Sequence, residues 1–124
     1  MDYIIDTHIL LWFIEGDKRI GKENIEIIES EDNSIFISSA SLWEIAIKIS
    51  IGKLKLSVDF GELEFYLIDK GFEILDFNFL HLKKLINLPF HHQDPFDRMI
   101  ISQATINDLK IITKDKLFGK YHEN

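Results

Sequence analysis

Short apolar runs alternate along this chain with longer stretches in which apolar residues recur every three or four positions, so strand and helix signals follow one another. Tyr3-Ile4-Ile5 is a short run ending at Asp6, and Ile9-Leu10-Leu11-Trp12-Phe13-Ile14 reads as the first turns of a buried helix that stops near Gly16. A charged helix is predicted over residues 22 to 31, followed by the strand Ser34-Ile35-Phe36-Ile37-Ser38 and a helix that Ser41 opens and Gly52 ends. Residues 59 to 70 read as helix up to Gly71, Phe72-Glu73-Ile74-Leu75 as strand, and Phe79 to Leu88 as helix. Pro95 is placed as the first helical residue of a segment reaching Asn107, and Leu109-Lys110-Ile111-Ile112-Thr113 is a fourth strand. Buried strands joined by helices predict an α/β fold: a parallel sheet with helices on both faces and right-handed crossovers.

That architecture points to where ligands bind, because open parallel sheets bind them beyond the carboxyl ends of the strands. Asp6 directly follows the first strand and Asp115 stands two residues past the fourth. Composition narrows the chemistry. The 124 residues, 46% hydrophobic and 28% charged, suit one globular domain, and the scattered glycines and prolines mark neither a linker nor a repeat. With no cysteine there is no disulfide scaffold, thiol nucleophile or Cys-ligated metal, so any cation is held by oxygen or imidazole. The run Ile9 to Ile14 falls far short of the roughly 18 residues of a membrane span, and without a leader-like start the chain is expected to be cytoplasmic. The formal charge of -7 opposes a broad nucleic-acid binder. A carboxylate cluster that collects divalent cations removes that obstacle locally, because each bound ion returns positive charge where a phosphate would sit.

Each candidate acid also has an ordinary role. Asp6 suits a cap at a strand-to-helix junction. Glu44 follows Ser41 by three residues, a capping-box signature. Yet Ser41, Glu44 and Lys48 form a polar wedge of roughly 60° on a helix apolar almost everywhere else. Asp94 reads as a helix cap and Asp97 as a first-turn acid, though two carboxylates, two histidines and Arg98 in one short stretch exceed what capping requires. Asp115 between Lys114 and Lys116 suits a solvated turn. Adjacent His91 and His92 point different ways and lack zinc-site spacing. The aromatic residues Trp12, Phe13, Phe36, Trp43, Phe60, Phe65, Phe72, Phe77 and Phe79 are assigned to core or subunit interface rather than to base stacking.

Taken together and in order, four stretches resemble PIN-domain ribonucleases, more narrowly the VapC toxins of type II toxin–antitoxin modules. They are Ile4-Ile5-Asp6-Thr7-His8-Ile9-Leu10-Leu11-Trp12, Ser38-Ser39-Ala40-Ser41-Leu42-Trp43-Glu44-Ile45-Ala46-Ile47-Lys48, His91-His92-Gln93-Asp94-Pro95-Phe96-Asp97-Arg98-Met99-Ile100-Ile101-Ser102-Gln103-Ala104, and Ile111-Ile112-Thr113-Lys114-Asp115. The resemblance spans residues 2 to about 118. It implies catalytic roles for Asp6, Glu44, Asp97 and Asp115, with Asp6, Asp97 and Asp115 on the metal and Asp94 auxiliary. It further implies RNA cleavage with Mg²⁺ or Mn²⁺, an antitoxin partner whose tail blocks the acidic pocket, and a homodimer. It implies a three-layer α/β/α fold whose fifth edge strand is short or absent here, since the chain closes on Lys120-Tyr121-His122-Glu123-Asn124.

The chemistry agrees with the residues. Converging carboxylates raise one another's pKa unless a cation neutralises them, and oxygen donors select hard ions such as Mg²⁺ or Mn²⁺. Such an ion activates water for attack on a phosphodiester, with Glu44 or Asp94 as the acid that orients the water. Lys48, Arg98, Lys114 and Lys116 are candidates for phosphate contacts. Two other readings stay open. One is a phosphoacceptor or aspartyl-phosphatase pocket, although His8 stands where the phosphatases want a second Asp; the other is a silent groove that docks a basic peptide.

Overall fold

The computed structural model describes residues 1 to 121. In chain order it contains β1 (Asp2–Ile5), α1 (Thr7–Glu15), a 3-10 turn (Lys18–Ile20), α2 (Lys22–Glu29), β2 (Ser34–Ser38), α3 (Ser39–Ser50), α4 (Phe60–Asp69), β3 (Phe72–Leu75), α5 (Phe79–Ile86), α6 (Pro95–Asn107), β4 (Lys110–Ile112) and a second 3-10 segment (Lys116–Tyr121). The strands form one all-parallel sheet in the order β3-β2-β1-β4. Ile4 lies opposite Phe36 on one side and Ile111 on the other.

Period-two alternation splits the core into two layers. Ile5, Ile35, Ile37, Phe72 and Ile112 face Ile9, Leu10 and Ile14 of α1, Ile45 of α3, and Leu63 and Leu67 of α4. Ile4 faces the opposite way, onto Ile100, Ile101 and Ala104 of α6 and onto Phe118. Ile4 and Ile5 have no exposure at all, and burying each stabilises the fold by about 1.5–3 kcal/mol. Because the helices sit on both faces, polar chemistry is left to the strand ends.

The chain moves from β1 to β2 to β3 in one direction and then returns to place β4 on the other side of β1. The resulting switch point lies between β1 and β4, the crevice where parallel sheets bind ligands. The ladder continues past the strand end there, since the Asp6 N–H donates to Ile112 O at 3.2 Å.

Local signals set most boundaries. Gly16 ends α1 in the left-handed region at φ 64°, where a side chain would be strained. Asp94 caps α6 and Pro95 occupies its first turn. The predicted start of α3 is corrected: Ser38 is the cap, its hydroxyl oxygen accepting from the Ala40 N–H at 3.0 Å, and the helix begins at Ser39. Ser41 therefore lies inside the helix and forms no capping box with Glu44. The predicted helix over residues 22 to 31 stops at Glu29, and the strand over 109 to 113 shortens to Lys110–Ile112. Among the described residues there are four strands; residues 122 to 124 lie outside them. No helix of the described residues is long and apolar enough to cross a membrane. Of the aromatic rings assigned to core or interface, Phe72 is buried and Trp12, Phe13 and Phe36 pack against the core, whereas Trp43, Phe60, Phe65, Phe77 and Phe79 are exposed.

Candidate metal centre

Asp6 is the cap of α1, its Oδ1 accepting from the Ile9 N–H at 2.8 Å. Its Oδ2 faces the neighbouring strand end and accepts the Thr113 hydroxyl at 2.5 Å. Thr113 Oγ1 in turn accepts from the Asp115 N–H at 2.9 Å, so one hydroxyl orients the acids that follow β1 and β4. Burial pushes the Asp6 carboxyl above its ordinary value, against the opposing hydrogen bonds from Thr113 and Ile9.

Asp97 enters from α6. Burial, then the negative charge of Asp94, raises it from 3.8 to about 7; His92 opposes the shift, while Asp6 and Glu44 add to it. Asp115 is the counterpoint. Burial raises it, but the N–H of Leu117 and the hydrogen bond from His92 outweigh that effect and leave it below its ordinary value. Glu44, buried inside α3, has its Oε2 2.8 Å from Lys48 Nζ and its Oε1 without a partner among the described residues. Acids from four segments far apart in sequence thus act on one another at the carboxyl ends of β1 and β4.

Over residues 3–124 the sequence matches the PIN domain family. The chain belongs to the PIN domain family. Among solved structures this PIN domain is similar to the crystal structure of VapBC2 from Rickettsia felis bound to a DNA fragment from their promoter, at 23% identity and a TM-score of 0.72. The match covers 97% of this chain and 92% of that chain, a likeness of fold. No curated protein matches the sequence.

The donor set of this PIN domain fits a hard divalent cation. Oxygens of Asp97 and Asp115 and the Nε2 of His92 lie within 4.8 Å of one another, burial and then neighbouring acids hold the Asp97 carboxyl up at about 7, and a buried Glu44 oxygen has no partner among the described residues. A cation meets all three conditions, whereas leaving charged groups buried and unpaired is destabilising.

The remaining expected residues divide. Asp94 keeps its capping role, its Oδ1 accepting from the N–H groups of Phe96 at 2.9 Å and Asp97 at 3.0 Å. Lys48 is held by Glu44. Lys114 lines an open cavity of about 250 Å³ with Asp6, His8, Trp12 and Asp115, and Arg19 stacks over Trp12 at 5.3 Å from the ring centroid. Lys116 opens the second 3-10 segment and is exposed.

Arg98, expected at a phosphate, is corrected. It is 5% exposed, and its guanidinium donates to the carbonyls of Pro89, His92, Leu85 and Leu88 at 3.0–3.3 Å. It clamps the segment between α5 and α6.

Sequence reasoning missed Thr113 and His92. Thr113 gave no signal beyond ending a strand. His92 was seen only as half of a zinc pair; its position five residues ahead of Asp97, in the loop that leads into α6, was the available clue.

Proposed function

We propose that this PIN domain is a metal-dependent endoribonuclease and the toxin of a toxin–antitoxin pair of the VapC kind. The observation that carries the reading is the grouping of Asp97 and Asp115 with His92 at the β1–β4 switch point, with Asp6 outside that group but near enough to act on Asp97, which burial and neighbouring acids push up to about 7. Asp6, Asp97 and Asp115 would hold Mg²⁺ or Mn²⁺. A bound ion supplies Lewis acidity, which acidifies water and offsets the charge that builds on a phosphodiester during hydrolysis.

The chain's own residues do the rest. Thr113 orients Asp6 and Asp115 together. Glu44 presents an unpaired oxygen able to accept a proton from water, with Lys48 holding its other oxygen. Asp94 fixes the first turn of α6 and so the position of Asp97. Lys114, on the rim beside Asp6 and Asp115, meets the RNA backbone as a point charge, which binds without reading sequence. The similarity to VapBC2 supports an antitoxin partner, and the exposed aromatic rings agree with a homodimer.

The test uses purified chain free of antitoxin. Structured RNA is cut with Mg²⁺ or Mn²⁺ and left intact with EDTA. Asp6→Asn lowers kcat by about 100-fold or more with the fold retained, and Lys114→Ala acts mainly by raising KM. Full activity in Asp6→Asn overturns the assignment.

A further inference from the structure

The centre contains one group foreign to an all-carboxylate site. His92 Nε2 lies 3.0 Å from Asp115 Oδ2 and 3.1 Å from Asp97 Oδ2. This placement is built by the fold. The His92 carbonyl accepts from Arg98 at 3.3 Å, its N–H donates to the Tyr121 hydroxyl at 2.8 Å, and its ring stands edge-on to Phe118 at 5.1 Å. The ring is thereby nearly withdrawn from water, while the adjacent His91 is exposed and turned onto Tyr121.

A hydrogen bond explains only half of this geometry. A ring nitrogen carries at most one proton, so Nε2 either favours one carboxylate or divides a weaker, three-centre bond between the two. A shared cation serves all three atoms at once. In octahedral coordination with ligands at about 2.1 Å, adjacent ligand atoms are separated by √2 times that length, roughly 3.0 Å. Both nitrogen–oxygen separations match that edge. Glu44, whose charge acts on Asp97, has a buried Oε1 without a partner among the described residues, a second and independent sign of an unsatisfied site.

We infer that His92 Nε2 is a ligand of the cation, making a mixed nitrogen–oxygen centre that takes a first-row divalent transition ion such as Mn²⁺ ahead of Mg²⁺. The inference rests on reading the acidic centre as a metal site. The selectivity follows from ligand chemistry: Mg²⁺ favours oxygen donors and keeps its water, whereas transition ions accept imidazole readily. Arg98 and Tyr121 act as positioning residues. They hold the main chain of residue 92, so replacing the ring leaves their contacts intact.

The experiment needs no RNA. Mn²⁺ is titrated into the purified chain and followed by electron paramagnetic resonance, with Mg²⁺ as competitor. Pulsed spectra of the bound ion then report any ¹⁴N coupling. Wild type is expected to show that coupling and to prefer Mn²⁺ by about 10-fold or more. His92→Asn, or His92→Gln if the first does not fold, loses the coupling and most of the preference. Bound Mn²⁺ without nitrogen coupling in the wild type, or an unchanged preference in the variant, overturns the role of His92 and leaves the acidic centre standing. Failure of Mn²⁺ to bind at all overturns both.

Discussion

Thr113 and Asp6, 107 positions apart, share a hydrogen bond in which the threonine hydroxyl donates to Asp6 Oδ2, while the same oxygen of Thr113 accepts from the main chain of Asp115. The strand-end acids are therefore oriented by one group. Thr113→Val keeps the shape and removes both bonds. It is expected to cost about 1–3 kcal/mol in denaturant unfolding and to weaken Mn²⁺ binding by about 10-fold or more. Thr113→Ser retains the hydroxyl and is expected to restore both. Mn²⁺ affinity in Thr113→Val equal to wild type would show that the hydroxyl does not organise the site.

Asp97 makes the metal-free protein sensitive to pH in a direction opposite to most acids. Its carboxyl is near 3.8 in an unfolded chain and about 7 when folded. Between those values the folded state retains a proton that the unfolded state has lost. The stabilisation is complete below about pH 4 and disappears as pH rises through 7, a change on the order of a few kcal/mol. Melting temperatures in EDTA should fall across this window, and less so in Asp97→Asn. Saturating Mn²⁺ binds the charged form and should flatten the wild-type curve. A wild-type curve that coincides with that of Asp97→Asn in EDTA rules this out.

Arg98 should matter for stability first. Its guanidinium is shared among four carbonyls and lies 4.0 Å from the Phe90 ring centroid, an arrangement a lysine ammonium cannot copy. Arg98→Lys is expected to lower unfolding stability by ~3 kcal/mol, because several buried acceptors lose their donor. Weakened RNA binding at unaltered stability would return Arg98 to the phosphate-contact role.

The strands, the caps at Asp6 and Asp94, Pro95 in the first turn of α6 and the stop at Gly16 were legible because each depends on neighbours within a few residues. The start of α3 was misread for the same reason: Ser38 and Ser41 are both competent local caps. Only the strand geometry ahead of the helix selects Ser38, leaving Ser41 to accept the Thr7 hydroxyl from α1 at 3.0 Å. The candidate acids could be named from their type and order, whereas their surroundings could not.

Apolar periodicity and local hydrogen bonding are properties of short segments, so the chain's linear order already determined a parallel α/β sheet with acids beyond its strand ends. Tertiary packing decided which polar groups meet there. It drew His92 between Asp97 and Asp115, tied Thr113 to Asp6, and withdrew Arg98 into a cage of carbonyls. Those choices depend on direction and on loss of water, which arise only when distant segments close on a common core and each buried charge must find a partner.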